Sequence, residues 1–158
     1  MRLLLILLLI AAIPTSAHAG DAGDERWAVT IWGLSYHVNK SIDYAASNWG
    51  LGLRYYAIRR HLFVEGDALR NSNRGLVVPV SVGAELGIGS VSECKLTAIG
   101  AFTAAYYQNP RKDTTEIKVG PVPGLSVRCG RFKTNVLAVL SKSDTPLAAI
   151  VASLTIFF

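Results

Sequence analysis

Between Trp27 and Tyr56 the chain repeats with a period of two. In the second half of that stretch Trp49, Leu51, Leu53 and Tyr55 share one face, while Gly50, Gly52, Arg54 and Tyr56 share the other. Such a segment is an extended strand with one greasy face and one face of glycine and arginine. That combination suits a barrel wall in a membrane, with lipid outside and small or charged groups inside. The stretch reads as two strands, Trp27 to His37 and Asn48 to Tyr56, joined by a polar loop. His37 stands where the first strand meets that loop.

Composition narrows the class. The chain has 158 residues, 51% hydrophobic and only 17% charged, which fits one domain of low polarity. A helical membrane protein needs runs of about 20 apolar residues. Beyond the first 19 positions there are none. Apolar residues instead alternate with Gly, Ser, Thr and charged groups, which leaves a β-sandwich or a β-barrel.

The first segment has a separate role. Met1-Arg2 gives a positive start, Leu3 to Ile13 is an apolar run too short to span a bilayer, and Ala17-His18-Ala19 is a small-x-small cleavage signature. Residues 1–19 are therefore read as a signal peptide and residues 20–158 as the barrel domain. Arg2 is the one charged residue of that segment, so the exported chain carries one positive charge fewer than the +5 of the whole. The excess is diffuse, and no aromatic-basic cluster of the single-strand-binding type accompanies it, so nucleic acid is not an expected partner. Attraction to anionic lipid head groups is the more natural use.

Strands are expected at 27–37, 48–59, 61–71, 76–88, 93–107, 115–128, 131–141 and 147–158. Long polar connections at Val38–Ser47, Asn71–Gly75, Gln108–Thr114 and Lys142–Thr145 alternate with short turns at Arg59-Arg60, Gly89–Ser92 and Gly130-Arg131. An even strand number with long loops at one end and tight turns at the other is the pattern of a bacterial outer-membrane barrel. The last strand ends the chain on Phe158, an apolar terminus better placed in lipid than in water. The expected fold is all-β, an eight-stranded antiparallel transmembrane β-barrel, and the expected location is the bacterial outer membrane as a monomer.

A barrel of this size is filled by side chains or holds one small ligand. If Thr97, Ile99, Ala101 and Thr103 point inward, with Ala149, Val151, Ser153 and Thr155, the lining is small, partly apolar and fit for an acyl chain. The opposite face of the fifth strand, Leu96, Ala98, Gly100 and Phe102, is apolar too, so its orientation stays open. Glu65 and Asp67 are expected inside, paired structurally with Arg54. Cys94 and Cys129 fall at the short-turn ends of neighbouring strands, where a disulfide is reasonable in an exported chain, free thiols being the alternative. Two isolated cysteines without nearby histidines are no metal site, and no cofactor is expected. Prolines cannot donate to a ladder, so Pro121, Pro123 and Pro146 interrupt pairing. They mark either a lateral gate for lipid or a bulge and a loop end.

The run from Ile31 to Tyr55, with His37 before a polar loop and then Asn48-Trp49-Gly50-Leu51-Gly52, resembles the first hairpin of the lipid A palmitoyltransferases. Val119-Gly120-Pro121-Val122-Pro123-Gly124-Leu125 is similar to their proline-containing sixth strand, and Pro146 matches a further family proline. The resemblance covers most of the chain beyond residue 19. It implies transfer of a palmitoyl-type chain from a phospholipid to lipid A, with His37 matching the family histidine at the end of the first strand. The family's adjacent aspartate and serine correspond to Asn71 and Ser72. This chain departs from the family in placing Asn71 where the acid stands, and in having only Gly20 to Arg26 before the first strand where the family has an amphipathic helix.

Acyl transfer needs a base and a group that holds or carries the developing oxyanion. Neutral imidazole at His37 suits the base, Ser72 the nucleophile or oxyanion donor, and the Asn71 amide an orienting role. Asp43, Asp113 and Asp144 are the loop carboxylates able to replace the missing acid. The structural readings are a solvated strand-end histidine and a plain turn at Asn71-Ser72-Asn73. Two functions follow: an acyltransferase, or a noncatalytic barrel that binds lipid or lipopolysaccharide or alters the cell surface. A lipid A deacylase ranks last, since no His-x-Ser occurs.

Overall fold

The computed structural model describes residues 26–37, 47–57, 61–110, 112–140 and 147–158. The signal-like segment 1–19, the first long loop with Asp43, the Arg59-Arg60 turn and the segment holding Asp144 and Pro146 lie outside them. Eight strands, β1 (Trp27–His37), β2 (Ser47–Tyr56), β3 (Leu62–Arg70), β4 (Leu76–Val91), β5 (Cys94–Asn109), β6 (Thr114–Cys129), β7 (Phe132–Leu140) and β8 (Leu147–Phe157), run in sequence order around a closed barrel. Every neighbouring pair is antiparallel, and β1 closes on β8. No described helix is long and apolar enough to cross a membrane, which is silent on crossing by strands.

The period-two pattern produces an inverted protein. Trp49, Leu51 and Leu53 of β2 are exposed on the outer face, as are Val80 and Val82 of β4, Phe102 of β5 and Leu125 of β6. Trp27 and Tyr55 pack with tilted rings at one end of the wall, ring centroids 4.8 Å apart, and Tyr36, Trp49 and Tyr106 stand outward near the other. The inner face carries the polar groups: Thr30, Arg54, Glu65, Asn135 and Thr155 are all buried. The fifth and eighth strands turn Ile99, Ala101 and Thr103, and Ala149, Val151, Ser153 and Thr155, toward the lumen.

Glycines on the inner face make room for larger groups from the next strand. A Cβ at Gly52 would collide with the Asp67 carboxylate, and one at Gly83 with the Phe63 ring. Asp67 lies across Gly52 and accepts a hydrogen bond from Trp32 Nε1 at 2.8 Å. The expected Arg54 pairing therefore holds for Glu65, at 2.6 Å, while Asp67 bonds to the indole instead.

Two short turns, Ser92-Glu93 and Gly130-Arg131, lie at one end of the barrel. Gly130 has φ 59°, a left-handed conformation that glycine adopts without a Cβ clash. At this end Cys94 and Cys129 pair directly across β5 and β6, Cα atoms 4.4 Å apart, and form a disulfide. The bond closes a separation of 35 residues. Cys94→Ser is expected to lower unfolding stability by about 2–4 kcal/mol by freeing the unfolded chain, read from the urea midpoint of the micelle-held protein under identical conditions.

Pro121 and Pro123 do not break β6 from β5. Pro121 pairs with Phe102 and Pro123 with Gly100 within an unbroken register. Being two residues apart, their missing N–H groups lie on one edge, and that edge faces β7. The β6–β7 ladder begins only at Gly124, opposite Leu137. Among the described residues, β6 above that point is paired with β5 alone.

Candidate active site

The barrel interior is divided into a polar floor and a largely apolar upper chamber with polar groups at its mouth. At the floor, Arg54 contacts Glu65 and Glu85, and Lys133 also contacts Glu85. Tyr56 Oη donates to Glu85 at 2.8 Å, and Thr30 Oγ1 donates to Glu65. Two cations and two carboxylates are thus matched in a space from which water is largely excluded. Phe63 covers this cluster, with the Arg54 guanidinium 4.3 Å from its ring centroid. Glu85 and Lys133 complete the floor without having been singled out by the sequence reading. Their signal was present, since Lys133 and Asn135 alternate with Phe132 and Thr134.

Above the floor lies a cavity of about 780 Å³ that reaches the long-connection end. Its wall includes Val77, Ile99, Ala101, Val122, Leu137 and Val151. The described β6–β7 pairing ends at Gly124, two residues from Val122 of this wall.

His37 and Ser72 meet at the mouth of this cavity, with Nε2 and Oγ 2.6 Å apart. A backbone irregularity brings the histidine there. Counting by twos from Trp27 puts His37 on the outer face. Gly33 has no partner in either ladder, the register shifts between Trp32 and Leu34, and the phase of β1 inverts. Leu34 and Tyr36 then face out, while Ser35 and His37 face in.

Ser72 is held by the β3–β4 turn, and Asn71 builds that turn. Asn71 Oδ1 accepts the backbone N–H of Asn73 at 2.9 Å and of Gly75 at 3.0 Å. Its Nδ2 donates to the Gln108 carbonyl at 2.7 Å, stitching the turn to the end of β5. Asn73 adds a bond to Tyr107 Oη at 2.9 Å. The amide expected to orient the reaction at Asn71 is therefore occupied in the backbone of the turn. Asn71→Asp replaces the donor facing Gln108 with a second acceptor. It is expected to destabilise the barrel by about 1–3 kcal/mol in a urea titration, while placing no charge on His37.

The amide that does reach the pair is Asn48, which sequence reasoning passed over. Its Nδ2 donates to Ser72 Oγ at 3.2 Å and to Ser35 Oγ at 2.9 Å. Asn48 sits at the first inward position of β2, a phase set by the same alternation as Arg54 and Tyr56.

Among the described residues no group of His, Cys, Asp and Glu gathers with metal-binding geometry. What the arrangement supports is proton transfer between a serine hydroxyl and an imidazole beside a chamber of hydrocarbon character. Asp113, the described loop aspartate, has φ 49° and lies in the β5–β6 connection. In comparisons with known proteins the chain matches no protein-family model and no curated protein.

Proposed function

We propose that this barrel is an outer-membrane acyltransferase that moves a palmitoyl-type chain from a glycerophospholipid to a hydroxyl of lipid A. The observation that carries the reading is the His37–Ser72 hydrogen bond of 2.6 Å at the mouth of a largely apolar cavity of about 780 Å³. An ester carbonyl at the mouth with its hydrocarbon tail in the chamber places the reacting carbon beside the serine. The stretch of β6 above Gly124, paired among the described residues with β5 alone, offers a route for a lipid from the side. The outward apolar band with aromatic residues near both ends fits a bilayer, and a soluble protein exposing such a surface would aggregate.

In this mechanism Ser72 Oγ attacks the ester carbonyl as its proton passes to His37 Nε2. The bond from carbonyl carbon to the glycerol oxygen breaks, and His37 returns the proton to that oxygen. The acceptor hydroxyl repeats the sequence in reverse, giving its proton to His37, forming the new ester and releasing Ser72. Base and nucleophile are thus in hand in one hydrogen bond.

A second reading, a noncatalytic barrel that binds lipid, is favoured by Asn71, whose amide serves the turn where the related enzymes carry an acid. One experiment divides the two. The chain is expressed in a bacterium lacking such enzymes, and its lipid A is weighed by mass spectrometry. A gain of one long acyl chain is expected, absent in His37→Ala. Unchanged lipid A with heat-modifiable gel migration proving insertion sinks the enzymatic reading and leaves the lipid-binding one.

A further inference from the structure

We infer that Asn48 aims the Ser72 hydroxyl at His37, making it a positioning residue for the acyl transfer proposed above, on which the inference rests. Asn48 is buried in the wall of the chamber. Its Nδ2 carries two hydrogens, and two hydroxyl oxygens stand within reach, Ser35 Oγ at 2.9 Å and Ser72 Oγ at 3.2 Å. Its Oδ1 is buried and meets no donor. Turning the amide over would satisfy Oδ1 but leave both N–H groups facing the space where one acceptor is now unmet. Two unmet donors cost more than one unmet acceptor, so Nδ2 faces the hydroxyls.

This donation sets a direction. The protein groups bonded to Ser72 Oγ are His37 Nε2 and Asn48 Nδ2. An amide nitrogen only donates, so the hydroxyl proton has His37 Nε2 as its acceptor, and that nitrogen must be bare with the ring proton on Nδ1. Were Nε2 protonated, both neighbours would donate to Oγ and the hydroxyl hydrogen would have no acceptor between them. Removing Asn48 removes its bias toward this direction of the serine–histidine bond. The reversed one, with Nε2–H donating to Oγ, presents no base to the serine.

The same N–H has a second effect. As the proton leaves Oγ, the oxygen gains negative charge while Asn48 Nδ2 remains bonded to it. A hydrogen bond to an anion is about twice as strong as one to a neutral oxygen, so Asn48 favours the activated serine over the resting one. The bond to Ser35 occupies the other hydrogen and holds the amide plane in place.

Nitrogen NMR of the full chain labelled with 15N-histidine and folded in detergent micelles reads which ring nitrogen carries the proton. The His18 and His61 signals are identified with His18→Gln and His61→Gln. The neutral His37 ring is expected as the Nδ1–H tautomer in the parent protein. In Asn48→Ala the Nε2–H fraction is expected to rise. Asn48→Asp, of nearly the same shape but accepting where Asn48 donates, should draw the Ser72 proton to itself and drive the ring to Nε2–H. A parent ring already on Nε2–H, or a tautomer that Asn48→Asp leaves unchanged, overturns the inference. Should Asn48→Ala fail to insert, judged by gel migration, Asn48→Asp carries the test alone. Lipid A modification measured in parallel keeps the two ideas apart. A tautomer that responds in a protein that acylates nothing retains the positioning role and rejects the enzyme, whereas acylation with an unresponsive tautomer does the reverse. Where both hold, Asn48→Asp is expected to slow acyl transfer at least about 10-fold at saturating phospholipid.

Discussion

Glu85→Gln is expected to destabilise the barrel by about 3–5 kcal/mol, read as a fall in the urea midpoint of the micelle-held protein followed by gel migration. Glu85 is the hinge of the ionic floor. It accepts from Arg54 at 3.0 Å, from Tyr56 at 2.8 Å and from Lys133. The Arg54 and Lys133 side chains are each only 1% exposed, so neither cation can turn to water when the carboxylate is lost. Neutralising Glu85 leaves two buried cations to share Glu65, and that uncompensated charge, more than any lost contact, sets the size of the effect. The double variant Glu85→Gln, Lys133→Met removes one charge of each sign and is expected to recover most of the loss. Glu116→Gln breaks the Glu116–Lys118 pair at 3.1 Å, whose side chains are both more than half exposed, and is expected to change stability by no more than about 1 kcal/mol. If Glu85→Gln behaves like Glu116→Gln, the floor is hydrated and the chamber above it has no dry base.

That floor explains what the sequence made legible. Arg54 and Glu65 sit in glycine-rich or apolar strands at inward-phase positions, and a charge in a wall whose other face is apolar has nowhere else to go. Alternation alone therefore yields the barrel, the faces of β2, and the Arg54–Glu65 pair. The cysteines needed only the strand map, because Cys94 and Cys129 each stand at a strand end beside a two-residue turn. The site is less legible because it depends on a departure from alternation. His37 faces inward only because Gly33 is left out of both ladders, and nothing in the residues around a single glycine announces a change of phase. Asn71 invited a chemical role by its place beside Ser72, yet an asparagine at the head of a turn is first a builder of that turn, and its four contacts here are all to backbone. Asn48 has no local signature, because it lies 24 residues from Ser72 in sequence and meets it only once β3 pairs beside β2.

His37→Ala and Ser72→Ala are each expected to lower the rate of acyl transfer by about 10²–10⁴-fold, measured as acylated lipid A against time in mixed micelles. The double variant distinguishes two ways in which the pair can work. If Ser72 is the nucleophile and His37 its base, the two act through one hydrogen bond of 2.6 Å, and losing either disables both. The double variant then falls no further than the slower single variant. If His37 instead deprotonates the lipid A hydroxyl directly and Ser72 only donates to the oxyanion, the groups serve different atoms of the transition state, and their losses multiply. The non-additive outcome is the expected one. In the assigned geometry the serine proton points at Nε2, and Asn48 already occupies Oγ as a donor, so the hydroxyl has no hydrogen left for an oxyanion. Ser72→Cys sharpens the distinction: if Ser72 is the nucleophile, the thiolate in its place is expected to attack the phospholipid ester, release the glycerol oxygen and form a thioester that raises the mass of the intact protein by one acyl chain. An oxyanion donor replaced by cysteine would acquire no such mass.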